Sequence, residues 1–391
     1  MHVLHVTDVY FPRVNGVSTS IRSFRADLAA AGVETTLVAP AYGGASAPDD
    51  DAGIVRVPSA RVPRDPEDRR MHWGSLEAQL AGMAARGVDL VHIQTPFLAH
   101  YAGLRAARRL GVPAIATCHT LFEEYLHHYV PALPRPWGRR LARTLTRSQA
   151  AGLAALVSPS GPMRDRLLEY GVDVPIHVLP TGLPADRLRR GTGARFRERH
   201  GIGAERPLLL YVGRVAHEKN IDFLLRVHAR VLRERPDALL LIAGEGPARE
   251  PLARLARQAG IADSVRFVGY LERRTELPAC YCAADVFVFA SKTETQGLVL
   301  LEAMALGVPV VALAEMGTQD VLKEGAGCRI APDDVAGFAR TVLPLLADRE
   351  AARALGAAGR PYAAGWSEGR MADAVIGLYR QLCQEALQRA A

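Results

Sequence analysis

Thr293-Glu294-Thr295-Gln296-Gly297-Leu298-Val299-Leu300-Leu301-Glu302 stands between two short β-rich runs, Val286–Phe289 and Val308–Ala312. Strand, turn, apolar helical run and strand again make the unit of a parallel sheet, because parallel neighbours need a crossover and a helix supplies it. At such a turn Glu294 falls in the loop at the helix mouth, and Glu302 about a turn and a half further in. Gly297 lets a ligand approach the backbone, and the first free N–H groups of the helix face any anion there. A carboxylate for sugar hydroxyls beside N–H donors for phosphate is what binding a sugar nucleotide requires. The same residues also read as an ordinary helix start with one surface glutamate and one satisfied one.

Outward from this stretch the alternation continues to both ends. Val3–Val6 reads as a buried strand, and Val17, Ile21, Phe24 and Leu28 then mark one face of a helix. Strand-like runs follow at Thr35–Ala39, Leu90–Ile93, Ala114–Thr117 and Leu156–Ser158, then at Leu208–Val212, Leu239–Ala243 and Val265–Val268. Helical patterns such as Ile221–Arg235 and Ala248–Ala259 lie between them. Pro and Gly punctuate the chain at Val178-Leu179-Pro180-Thr181-Gly182-Leu183-Pro184, before an Arg/Gly-rich loop ending near Arg195. The expected architecture is α/β: two Rossmann-like, doubly wound domains over residues 1–190 and 191–365, facing each other across a cleft. A last helical segment over 366–391 packs back on the first domain. Ligands on such sheets bind beyond the carboxyl ends of the strands.

At 391 residues the chain exceeds what one core supports. Its apolar stretch from Gly297 to Ala314 is interrupted by Glu302 and Pro309, so no membrane span is expected. The start Met-His-Val-Leu-His-Val is strand-like and lacks a basic leader. Five cysteines, Cys118, Cys280, Cys282, Cys328 and Cys383, show no zinc-type double pair and fit a reducing cytosol. Charge is uneven. Residues 1–195 hold 23 Arg against 17 acids, and residues 196–391 hold 25 Lys or Arg against 24, so the surplus of 7 splits as 6 and 1. The basic half points to an anionic partner, or merely to arginine-biased composition, since the chain has only three lysines.

Three further turns sit at strand ends. Phe11-Pro12-Arg13-Val14-Asn15-Gly16-Val17-Ser18-Thr19 links the first strand to the first helix, where free N–H groups favour phosphate; the alternative is a plain Asn-Gly turn. It lacks dinucleotide spacing, there is no Walker A sequence, and Gly244-Glu245-Gly246-Pro247 has only two of the three glycines, which disfavours a Rossmann oxidoreductase. Gly213-Arg214-Val215-Ala216-His217-Glu218-Lys219-Asn220 follows Leu208–Val212, and Arg214 and Lys219 can converge on a diphosphate. Its bland reading, a solvated basic loop, loses ground because one of three lysines stands at a strand's carboxyl end. His119 follows Ala114–Thr117 and is expected in the cleft, with its neighbour Cys118 turned to the opposite side.

Beyond His119 lies a run containing Tyr125, and then a basic segment. Arg135, Arg139, Arg143 and Arg147 step by four, with Arg140 alongside and Trp137, Leu141 and Leu145 on the other side. This amphipathic pattern suits an anionic membrane or acceptor, or an ordinary surface helix. Asp49-Asp50-Asp51, in a Gly/Ala/Pro loop, reads as solvated acids rather than a metal site.

Together these elements resemble a family-4 glycosyltransferase of the GT-B fold over nearly the whole chain. The likeness rests on the Phe11–Thr19 turn, His119, Gly213-Arg214 with Lys219, Ala243-Gly244-Glu245-Gly246-Pro247 and the Glu294/Glu302 pair. The resemblance implies a retaining, metal-independent transfer of a hexose from a nucleotide-diphosphate sugar (UDP-glucose or GDP-mannose) with no cofactor. It implies that Gly16 and Gly244 lie at the donor and that Arg214 and Lys219 neutralise the leaving diphosphate. Glu294 would hold the sugar hydroxyls, with Gln296, Gly297 and Leu298 lending backbone groups. Glu302 would bind the ribose, and His119 the transferred sugar. The Ser/Thr-x-Glu-Thr-Gln-Gly and His119–His127 runs resemble the branch that glycosylates bacterial lipids. A lipid or glycan acceptor, contact of Tyr125, Arg135, Arg139, Arg140 and Arg143 with acceptor or anionic membrane, and a cytoplasmic, peripheral location follow from that likeness. The same chemistry on a soluble polysaccharide or metabolite, or a silent sugar-nucleotide binder, are the rivals; a nucleic-acid partner is disfavoured, since the basic helix lacks an interleaved aromatic platform.

Overall fold

The computed structural model describes residues 1–13, 15–43, 52–62, 65–119, 135–183 and 191–390. They form two compact units: residues 1–182 with the last helix, Glu368–Ala390, and residues 183–367. The first contains a seven-stranded parallel sheet in the order β3-β2-β1-β6-β7-β8-β9, with β1 His2–Val6, β2 Glu34–Pro40, β3 Ile54–Val57, β6 Leu90–Ile93, β7 Ala114–Thr117, β8 Ala155–Ser158 and β9 Ile176–Val178. A small antiparallel pair, β4 Ser59–Val62 and β5 Asp65–Met71, stands beside it. The second unit holds a six-stranded parallel sheet, β12-β11-β10-β13-β14-β15. Its strands are β10 Leu208–Val212, β11 Leu239–Ala243, β12 Val265–Gly269, β13 Val286–Phe289, β14 Val310–Ala312 and β15 Cys328–Ile330.

Both sheets are doubly wound, as the alternation predicts, and both reverse direction at their first strand. β1 pairs with β2 on one side and β6 on the other; β10 pairs with β11 and β13. At such a switch point the loops after the two central strands diverge and leave a crevice. The switch-point loops are those after β1 and β6 in the first unit, and after β10 and β13 in the second.

The last helix belongs to the first unit. Its Val375, Ile376, Leu378, Tyr379 and Leu382 are buried in one cluster with Val3 of β1, Leu90 of β6, Ile115 of β7 and Val157 of β8. Five strands go beyond the sequence expectation: β3, β4, β5, β9 and β15. Three of these lie at sheet edges and two form the hairpin, where short or polar runs give little periodicity to read. The helix expected over Ile221–Arg235 stops at Val231, and the chain continues in turns to Arg235, where Pro236 ends it.

Candidate active site

In the second unit, the loop after β10 carries Arg214 and Lys219. Two glycines in the neighbouring loop hold it in place. Gly213 N–H donates to Ala243 O at 3.0 Å, Val215 N–H to Glu245 O at 2.9 Å, and Ala248 N–H to Val215 O at 3.0 Å. A Cβ on Gly244 would sit 2.0 Å from Gly213 O, and one on Gly246 2.3 Å from Val215 O. Gly244 is thus demanded by backbone packing under the Arg214 loop, a reason that needs no ligand. Tyr211, buried on β10, donates its hydroxyl to Arg214 O at 3.1 Å. Burial, and then the charges of Glu294 and Glu218, hold that phenol well above its usual range, so it remains a donor.

The loop after β13 meets this one. Asn220, in the left-handed region at φ 55°, donates its amide to Ala290 O at 3.0 Å. Thr293 Oγ1 lies 3.4 Å from Glu218 O. Lys219 Nζ reaches Glu294 Oε1 at 2.6 Å, each side chain about one fifth exposed. Arg214, more exposed, stands 3.9 Å from Glu218. Two cations and two carboxylates therefore alternate across the switch point. Glu294 is fixed from behind, since Gly317 N–H donates to Glu294 O at 2.8 Å and a Cβ on Gly317 would meet Thr295 O at 2.0 Å.

Gly297, at φ +88°, then turns the chain into the helix Leu298–Leu306. Its left-handed conformation is why glycine stands there. Leu298 is partly buried, Gln296 is buried, and no side chain caps the helix N-terminus. Glu302 is buried within the same helix and accepts from Tyr281 OH at 2.9 Å. The structure thus brings Arg214, Lys219 and Glu294 together with Gln296, Gly297 and Leu298 directly behind them. Gly244 underlies the Arg214 loop, and Glu302 is buried in the helix that follows Gly297.

The first unit presents two of the expected residues. Gly16 opens the helix Gly16–Ala30, whose cap Asn15 accepts from Ser18 N–H at 2.8 Å. Gly16 is exposed, and a Cβ built on it meets nothing within 4 Å. The fold itself places no demand for glycine there. His119 follows β7, and its Nε2 lies 3.0 Å from Gln94 Oε1. Burial lowers its pKa to about 4, so the ring is neutral at physiological pH. Cys118 packs against the apolar cluster of the first unit, and with His119 it lines one cavity. A cavity of about 40 Å³ lies beside His119, lined also by Thr95, His100, Thr117 and Thr146.

The basic helix spans Arg135–Ala150. Its inward face is small: Gly138, Ala142, Thr146, Gln149 and Ala150. Trp137 at 64 % and Leu141 at 43 % are exposed, beside exposed Arg140, while Arg143 lies over the Tyr170 ring at 5.6 Å. The arginine spacing left open whether the apolar side meets the core or an outer surface. The actual core contact is made by residues small enough to approach closely. Tyr125, Asp49, Asp50 and Asp51 lie outside the described residues, as do the side chains of Arg135 and Arg139. Among the described residues no group of three His, Cys, Asp or Glu side chains is placed to hold a metal ion, and no helix is long and apolar enough to cross a membrane.

Sequence reading missed Glu218, Tyr211 and Tyr281, and in the first unit Gln94 and His5. The signal for Glu218 was its place between the two cations. For His5 and Gln94 it was polar side chains in otherwise apolar strand runs, which need partners when buried.

Residues 14–187 match the family model described as Glycosyltransferase Family 4, and residues 194–361 match that described as Glycosyl transferases group 1. Over 313 residues the chain is 34% identical to an alpha-monoglucosyldiacylglycerol synthase of Streptococcus pneumoniae, covering 78% of this chain and 69% of that protein. It is 30% identical over 372 residues to a GDP-mannose-dependent alpha-(1-6)-phosphatidylinositol monomannoside mannosyltransferase of Mycobacterium tuberculosis, covering 92% and 93%. Among solved structures, a sucrose-phosphate synthase from Thermosynechococcus elongatus superposes with a TM-score of 0.81 at 24% identity, over 98% of this chain and 99% of that one.

Proposed function

The chain belongs to glycosyltransferase family 4, and from that premise we propose that it transfers a hexose from UDP-glucose or GDP-mannose to a hydroxyl of a membrane glycolipid or its precursor, with retention and without a metal ion. The observation that carries this reading is the Lys219–Glu294 pair at 2.6 Å across the switch point of the second sheet, with Arg214 beside it and an uncapped helix N-terminus behind.

Lys219 and Arg214 provide two positive charges where a leaving diphosphate gains negative charge, the kind of stabilisation that dominates such reactions. The Arg fork and the Lys point charge replace what a divalent cation supplies elsewhere. Glu294 already accepts from Lys219, so an incoming sugar hydroxyl joins or displaces that bond while the ammonium turns to phosphate. Glu302, held by Tyr281, is oriented for the ribose hydroxyls. In the first unit, Gly16 leaves open space at the amino end of its helix, which suits a phosphate or acceptor group. Neutral His119 contacts the transferred sugar without adding positive charge to an oxocarbenium-like transition state. Gly244 acts on the donor through the Arg214 loop that it braces.

The glycolipid names of the two relatives support a lipid acceptor, and the exposed Trp137, Leu141 and Arg140 support a peripheral site on the cytoplasmic membrane's inner face. An aromatic and an aliphatic side chain enter the interface while arginine meets anionic headgroups, at about 1 kcal/mol per well-placed cation. The test is turnover of labelled UDP-glucose and GDP-mannose with lipid extract in the presence of a chelator. Product NMR then reads the anomeric configuration. Inverted product, or activity lost to chelation and restored by metal, overturns the corresponding part. Flotation with anionic vesicles should weaken in Trp137→Ala and Arg140→Ala; unchanged flotation removes the membrane contact.

A further inference from the structure

A buried row of polar groups stands behind His119, and the site described above does not use it. Gln94, just past β6 and fully buried, is pinned by its own N–H to Val6 O at 2.9 Å. Both ends of its side-chain amide are engaged. Oε1 lies 3.0 Å from His119 Nε2, and Nε2 lies 3.0 Å from Nδ1 of His5, which is fully buried on β1. His92 lies alongside, its ring 5.2 Å from that of His5, bonded at 2.6 Å to both Tyr379 OH and Thr117 Oγ1.

An amide oxygen only accepts and an amide nitrogen only donates. As oriented, Gln94 therefore requires a proton on His119 Nε2 and a bare Nδ1 on His5. Burial keeps His119 neutral down to about pH 4, so its single proton is committed and its Nδ1 is left as an acceptor. Among the described residues His5 Nε2 has no hydrogen-bond partner, a cost that an apolar residue at this position would avoid. That cost makes sense if His5 is present to hold the amide in one orientation.

We propose that Gln94, oriented by His5, is a positioning residue that fixes His119 as the neutral Nε2–H tautomer, so that His119 Nδ1 accepts a hydrogen bond from a hydroxyl of the transferred sugar. This rests on the placement of His119 against the sugar under the proposed function. The titratable and charged groups packed around the row are His5, His92, His100, Arg25, Cys118, Tyr379 and Asp8. The last is engaged by Thr95 Oγ1 at 2.8 Å and by Ala99 N–H at 3.2 Å. No carboxylate is bonded to His119 among the described contacts, which suits a ring that stays uncharged.

Long-range proton–nitrogen NMR of the full chain with labelled histidine, at neutral pH, should show His119 as the Nε2–H tautomer. Gln94→Glu places a carboxylate against that nitrogen and raises its pKa. Below the raised pKa the ring is an imidazolium that cannot accept, so kcat should fall about tenfold per pH unit and recover as pH rises. Native enzyme should show no such limb, and Gln94→Leu should lower kcat evenly across pH. An Nδ1–H tautomer in the native chain, or a Gln94→Glu profile parallel to the native one, overturns the role of Gln94. Full transfer by His119→Ala overturns the sugar contact. The tautomer reading still decides Gln94's part if no donor is turned over.

Discussion

The two units share one winding pattern but treat charge in opposite ways. The first buries histidines and keeps them neutral: His5 at about 3, His100 and His119 at about 4, and His92 lowered well below its usual value, each chiefly by burial. The second lines its central strands with apolar residues, Leu208–Val212 and Val286–Phe289, and gathers full charges where those strands end. Around His119 the first unit offers dipoles and lone pairs, and the ends of the central strands in the second offer ions. A neutral polar wall suits a sugar and its acceptor, while an ionic edge suits a diphosphate.

Removing the ionic edge should have the largest effect. Glu294→Ala should lower transfer by about 10²–10³-fold, on the scale of losing one transition-state contact, while thermal unfolding changes little because the loop is held by backbone bonds. Full turnover in that variant would end the assignment of its role.

Acid should separate the lobes next. Each depressed histidine has an unfolded pKa near 6.5 and a folded value near 4 or below, so the native state refuses a proton that the unfolded chain takes up. Its contribution is complete above pH 6.5 and is lost as pH falls toward 4, on the order of 3 kcal/mol for a shift such as that of His100. Asp8 acts in reverse: burial raises it to about 6, so its contribution is present below 3.8 and is lost as pH rises through 6, offsetting part of one histidine. The second unit carries a smaller burden, chiefly His228, which burial lowers to about 4. Hydrogen exchange between pH 6.5 and 4 should therefore release β1 and β6 amides before those of β10 and β11. Simultaneous release would break the contrast.

Smaller effects sharpen it. Lys219→Ala should weaken nucleoside diphosphate about tenfold more than nucleoside, as expected for one charge-assisted contact; equal losses by calorimetry would contradict the phosphate role. Gly16→Ala should leave stability unchanged or raise it by about 0.5–1 kcal/mol, since the site is helical and open, yet reduce transfer. An active Gly16→Ala enzyme would show that nothing closely approaches that position.

The alternating pattern, the Glu294/Glu302 spacing and the Arg214–Lys219 loop were legible because period and spacing are local properties of a chain. Glu218 was legible only as a charge, since its relation to Arg214 depends on a turn that sequence does not fix. Gln94 and His5 are 89 positions apart and meet only through sheet register. The exposure of Trp137 and Leu141 was not legible because burial is decided by the neighbour, and small residues at Gly138 and Ala142 let that neighbour come close.

The interlock of Gly244 and Gly246 with Gly213 and Val215 has a consequence for engineering. The two segments have no independent shape, so transplanting the Arg214 segment from a relative with another sugar preference should fail unless its glycine counterpart travels with it. Exchange of specificity in this architecture is a two-piece operation.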